Sequence, residues 1–199
     1  MTTKTPLQPE VHPLPPFLPP EARILLLGSF PPPRKRWSMD FFYPNFTNDM
    51  WRIFGLIFFD NKDRFVDVAH KKFRKDDIEQ FLQEKAIAVS DTVAVANRLN
   101  GNASDLTLEV VEPLDLGKIL GQLPLCRILV TTGQKATDTL LTVVGAAAPV
   151  IGQYVDFVYQ GRNLRLYRMP SSSRAYPKPL PQKAEIYRTV FQDPRYCEY

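Results

Sequence analysis

The segment Arg23–Phe30 holds the continuous apolar run Ile24–Leu27, a pattern that predicts a strand buried on both faces. The proline triplet Pro31-Pro32-Pro33 ends it. Ile87 to Val95 is apolar and β-branched and predicts a second buried strand. Arg127 to Thr132, closed by Gly133, predicts a third. Tyr154–Tyr159 and Leu164–Met169 flank Gly161-Arg162 and predict a hairpin or two adjoining strands. Helical spacing fills the intervals. Met50, Trp51, Ile53, Phe54 and Ile57 fit one helix, with Thr47 or Asn48 placed to cap it. Ile78, Phe81 and Leu82 share a face of a helix over Asp77–Ala86. Leu114–Leu123, Lys135–Val144 and Gln182–Phe191 are the remaining helices, and Asn100-Gly101-Asn102 is a turn. Strands alternating with helices predict an α/β layer sandwich with a largely parallel sheet.

Residues 1–20 lack this periodicity. Pro13, Pro15, Pro16, Pro19 and Pro20 favour an extended arm lying over the domain, and residues 21–199 suit one domain. The 44% apolar and 23% charged residues are ordinary for a soluble globular chain. No apolar run approaches the roughly 20 residues of a membrane span, and the N-terminus does not read as a secretory signal. Cys126 and Cys197 form neither a disulfide framework nor a metal-ligand pattern, which fits a reducing cytoplasm. Cys126 is expected in the core. His12 and His70 have no ligand or triad pattern around them and are expected on the surface, so neither a metal nor a cofactor is expected. The net charge of +4 is compatible with a polyanionic partner.

The candidate chemistry lies in two segments far apart in sequence. Arg23-Ile-Leu-Leu-Leu-Gly-Ser-Phe-Pro31 and Tyr167-Arg-Met-Pro-Ser-Ser-Ser-Arg174 each run from an apolar strand into a tight loop of small residues and proline. In open α/β sheets ligands bind beyond the carboxyl ends of the strands. Two such loops at one edge would wall a cleft, with backbone N–H groups for a polar ligand and Arg174 for a phosphate.

Four stretches, in this order, resemble the uracil-DNA glycosylase superfamily. They are Leu27-Gly-Ser-Phe-Pro31, the aromatic-rich segment from Tyr43 to Asn48-Asp49-Met50-Trp51, Thr131-Thr-Gly-Gln-Lys-Ala136, and Met169-Pro-Ser-Ser-Ser-Arg174. The chain looks closest to the branch of hypoxanthine-DNA glycosylases, related to the mismatch-specific uracil/thymine glycosylases. The resemblance implies a three-layer α/β/α sandwich around a central, mostly parallel four-stranded sheet. It implies a monofunctional glycosylase that removes a deaminated base, uracil or hypoxanthine, flipped out of DNA in base-excision repair. The partner is DNA, and a monomer suits an enzyme that clamps a duplex. The chain departs from the family where Ser29-Phe30 follows the loop glycine in place of an acid or amide. It also has Met169 for the histidine of the classical uracil enzymes, Met50 for an aromatic, and Phe46 for a proline.

On this resemblance Asn48 is the catalytic position, ordering a water or contacting the base. Gly28, Ser29 and Phe30 offer N–H groups to the base, and Tyr43 stacks on it, with Phe30 opposite. Ser171, Ser172, Ser173 and Arg174 contact the flanking phosphates, and Lys135 opens a helix whose N-terminus attracts phosphate. Each has a plainer reading: Asn48 a helix cap, Tyr43 and the phenylalanines packing, the serines a flexible loop, Lys135 a surface lysine. Asp49 and Asp91 are reserve candidates for which surface or capping roles are expected. Arg34-Lys35-Arg36 is either a backbone contact or a solvated face. The alternative function is a catalytically inactive DNA-binding module on the same fold. A nucleotide-phosphate enzyme is disfavoured because no phosphate-binding glycine motif occurs.

Overall fold

A computed structural model describes residues 9–99 and 107–197, and the expected turn Asn100-Gly101-Asn102 lies outside them. Three apolar runs and one mixed segment form parallel strands: β2 (Ile24–Gly28), β5 (Ile87–Asp91), β8 (Ile128–Thr132) and the mixed β10 (Arg162–Met169). The last pairs antiparallel with β9 (Tyr154–Tyr159), giving a five-stranded sheet ordered β5-β2-β8-β10-β9. The sheet is therefore mixed and five-stranded rather than four-stranded. The fifth strand joins through a two-residue hairpin in which Gln160 and Gly161 both adopt positive φ, 47° and 77°. That geometry matches the twist of an antiparallel pair.

Alternation along the strands sorts the core into two layers. Ile24 and Leu26 of β2, with Val89 and Val130, face Trp51, Phe54, Phe81 and Tyr187. These aromatics come from α1 (Met50–Phe59), α2 (Lys75–Glu84) and α5 (Leu180–Phe191). Leu25 and Leu27 face the other way, onto Leu116, Leu120 and Leu140. Those belong to α3 (Leu116–Gly121), capped by the Asp115 side chain on the Lys118 N–H, and α4 (Gln134–Val144). Helices on both sheet faces make the three layers expected.

The predicted strand Ile87–Val95 is two strands. At Thr92 the main-chain N–H and the hydroxyl both donate to the Gly28 carbonyl, at 2.8 and 3.1 Å. The chain is thereby drawn across the end of β2. It continues as β6 (Val93–Arg98), which pairs with β1 (Glu10–Val11) and β7 (Leu108–Pro113) in a second, antiparallel sheet. The proline arm follows the same edge. Phe17 and Val89 exchange both backbone hydrogen bonds at 2.9 Å, so the arm covers the otherwise open side of β5. A short hairpin of β3 (Val66–Asp67) and β4 (Lys72–Phe73) precedes α2, and α6 (Pro194–Cys197) follows α5.

Candidate active site

Parallel strands release their following loops at one edge, so the loops after β2, β8 and β10 converge there. They enclose a cleft of about 440 Å³ whose walls include Gly28, Ser29, Phe30, Tyr43, Asn48, Asp91, Thr132 and Ser171 to Arg174. The two proline-stopped loops are thus neighbours in space. A Cβ on Gly28 would run into Asp91 Oδ1 and lie 3.2 Å from the Tyr43 hydroxyl, so any larger residue there displaces the Asp91 side chain. Gly133, at φ 93°, turns β8 into α4 beside Ser171. Tyr43 is itself in left-handed backbone, φ 51°. Its hydroxyl bonds Thr132 Oγ1 at 3.0 Å and its ring sits edge-on to Trp51, whose indole N–H donates to the Phe42 carbonyl. Trp51, Phe41 and Phe42 are buried core, whereas Tyr43 is half-buried and reaches the cleft.

Asn48 lines the cleft, and its Oδ1 accepts the N–H of Met50, the first residue of α1, at 2.9 Å. The bond is of the helix-start kind that the plain reading expects, and it leaves Nδ2 as the other end of the amide. Asp49 holds the N-cap position of α1, one of the roles expected of it, but its side chain is buried rather than on the surface and caps no N–H. Its backbone N–H donates to the Ser172 carbonyl, Oδ1 accepts Arg174 Nε at 3.0 Å, and Oδ2 accepts Lys183 Nζ at 3.0 Å. The fully buried Lys183 also donates to the Ser173 carbonyl at 2.8 Å. These bonds, with the bridge between Asn48 and Ser173, join the start of α1 to the serine loop. Lys183 escaped the sequence reading because a lysine within an amphipathic helix reads as solvated. Only its fall on the same helix face as Ala184 and Tyr187 hinted otherwise.

Within the serine loop, Ser171 Oγ accepts the Ser173 N–H and Ser173 Oγ accepts the Ala175 N–H, both at 3.2 Å, so both hydroxyl protons stay available to an outside acceptor. Ser172 is buried, and Arg174, half-exposed, is engaged by Asp49. Lys135 does not line the cleft; it sits in the first turn of α4, behind Gly133. In the basic turn, Arg34 pairs with Asp40 and lies over Trp37, while Arg36 reaches the cleft wall.

Two further expectations change. Asp91, the last residue of β5, is buried at the cleft. His12 is not a surface residue: its Nε2 lies 2.9 Å from Asp91 Oδ2. Cys126 is buried as expected, and burial pushes its thiol up to about 12, away from thiolate chemistry. Among the described residues no cluster of three or more His, Cys, Asp or Glu side chains could hold a metal, and no helix is long and apolar enough to cross a membrane.

No family model and no curated protein matches the chain. Among solved structures, a solution NMR structure of a protein from Methanosarcina acetivorans, provisionally named a uracil DNA glycosylase, superposes with a TM-score of 0.59 at 22% identity. The match covers 93% of this chain and 96% of that one. At this identity the likeness is one of fold.

Proposed function

We propose that the protein is a monofunctional DNA glycosylase of the uracil-DNA glycosylase type, hydrolysing the N-glycosidic bond of uracil or hypoxanthine flipped out of DNA. The observation that carries the reading is the meeting of the Gly28 and Ser171 loops around one cleft, with Asn48 on its wall. A second support is the fold shared with the Methanosarcina acetivorans protein named for that activity.

Breaking the base–sugar bond leaves positive character on the sugar and negative charge on the base. Oriented donors around the base are then worth more than a strong base. The Gly28–Phe30 loop and the Asn48 amide nitrogen supply such donors in this reading, with Tyr43 as the stacking surface. The bond at Oδ1 fixes the amide, so Nδ2 is aimed without further ordering. Ser171, Ser173 and Arg174 hold the neighbouring phosphates, and Lys135 a more distant one. Arg174 leaves Asp49 to do so, and Lys183 stays behind to balance the Asp49 charge. Lys183 is no imine-forming nucleophile in this reading, since it is enclosed and held by two oxygens. The single domain with its arm works as a monomer in the cytoplasm.

The test is a panel of duplex and single-stranded oligonucleotides bearing uracil, hypoxanthine or mismatched thymine, incubated with the protein and then treated with alkali. Strand scission at a deaminated base is expected. Tight binding with no scission for any base would leave the alternative, a DNA-binding module, standing.

A further inference from the structure

The proline-rich arm places an imidazole against Asp91, a residue of the cleft wall, and its surroundings define its charge. His12 Nε2 is 2.9 Å from Asp91 Oδ2, and Nδ1 is 2.9 Å from the Leu14 carbonyl. Both ring nitrogens thus face acceptors, and only the imidazolium donates to both. The neutral ring keeps the Asp91 bond only by turning Nδ1 into an acceptor for the Leu14 N–H, at 3.2 Å. The ring is held by Phe42, stacked at 5.9 Å, and by Phe30, edge-on at 5.3 Å. The His12 backbone N–H donates to the Ala94 carbonyl. The two side chains are only 12% and 8% exposed.

We propose, resting on the glycosylase reading, that His12 is a positioning residue: as an imidazolium it holds Asp91 in place and cancels its charge beneath the departing base. Asp91 stands next to Gly28 in register, with Oδ1 against the glycine that the base would approach. An uncompensated carboxylate there opposes an anion forming at short range, in a cleft where water screens poorly. The ion pair presents no net charge. Other charged groups around His12 are balanced or more distant. Arg98 of β6 lies behind Phe30, 5.7 Å from the ring centroid, and is paired with Glu10 of β1. Arg36 and Arg174 stand on the cleft wall, Arg174 paired with Asp49, and the Tyr43 hydroxyl is on Thr132.

Burial opposes a charge on His12, but the bond to Asp91, its negative charge and the Leu14 carbonyl outweigh it, so the pKa lies above the ordinary 6.5. The pair is therefore intact at lower pH and lost as pH rises through that raised value. Its contribution to folding follows the same sign: complete below 6.5 and gone above the folded value.

The experiment combines NMR titration of His12 in the free protein with single-turnover cleavage profiles of wild type, His12→Gln, Asp91→Asn and the double variant. His12 is expected to titrate above 6.5 in wild type and to fall back in Asp91→Asn. Cleavage is expected to drop on the alkaline side. His12→Gln is expected to cost roughly tenfold with Asp91 present but little in the Asp91→Asn background. If Asp91→Asn abolishes cleavage, the same cycle is read from affinity for a duplex carrying an uncleavable 2′-fluoro nucleotide. Titration of His12 at or below 6.5, or an equal His12→Gln effect in both backgrounds, overturns the proposal. Absence of cleavage by wild type overturns the glycosylase reading instead; the titration and affinity cycles then still decide whether the pair exists and acts on bound DNA.

Discussion

Asn48 Oδ1 accepts the Met50 N–H, which leaves Nδ2 as the end of the amide for the proposed contact with the base. Aspartate keeps the acceptor and loses the donor, which separates the two roles. Asn48→Ala is expected to cost about 1 kcal/mol of stability and roughly 100-fold in single-turnover cleavage. Asn48→Asp is expected to keep the urea midpoint and still lose the cleavage; an aspartate variant cutting at the wild-type rate removes Nδ2 from the mechanism. At Lys183 the issue is burial. Lys183→Met leaves Asp49 enclosed with only Arg174 and is expected to destabilise by about 3 kcal/mol in chemical denaturation. Adding Asp49→Asn should recover part of that loss, because the uncompensated charge goes with it. Sequence spacing marked Asn48 as a cap and, through the resemblance, as a site residue. It gave no sign that Asp49 and Lys183 pair, because 134 positions separate them.

At the scale of elements, β2 and β8 were legible because burial on both faces demands unbroken apolar runs. The break at Thr92 was not, since Ile87–Val95 stays apolar throughout and what divides it is a carbonyl from β2. The arm was read as extended, but its partner was not readable. Removing residues 1–18 bares the β5 edge and takes Phe17 from its edge-on contact with Phe41. Loss of hydrogen-exchange protection at the Val89 N–H is expected, with a Tm lower by roughly 5 °C. An unchanged Val89 protection would mean that the arm does not guard this edge. The other end of the sheet has its own lock. Arg165 of β10 forks between Asp156 of β9 and Asp193, which also accepts the Tyr167 hydroxyl. Burial works against the charge on Asp193, yet Tyr167 and Arg165 hold its carboxyl below the usual 3.8; Arg165 does the same for Asp156. Lowered carboxyl values stabilise above the unfolded value and lose that stabilisation as pH falls through the folded one. Wild type is therefore expected to lose more stability than Asp193→Asn on acidification below about pH 4, measured by urea midpoints. Parallel acid curves for the two proteins would remove Asp193 from the acid response.

For the whole molecule, the modest positive charge matters through where it sits. Lys35 and Arg36 are exposed beside the first loop, and Arg174 stands across the cleft. If they meet phosphates, the Lys35→Ala/Arg36→Ala double variant lowers the slope of log affinity against log salt by about 2. An unchanged slope makes the turn a solvated face. The amino-acid sequence by itself determined the layered α/β architecture, because strand and helix periods and the stops at Pro31 and Gly133 are local properties of the chain. It also marked the loops that carry small residues and proline. Only the tertiary structure decided which distant groups meet: His12 with Asp91, and Lys183 and Arg174 with Asp49. Such pairings follow from how the strands line up at one edge. A hydrogen-bond donor carries no mark, in its own stretch of sequence, of the acceptor that the folded chain will bring to it.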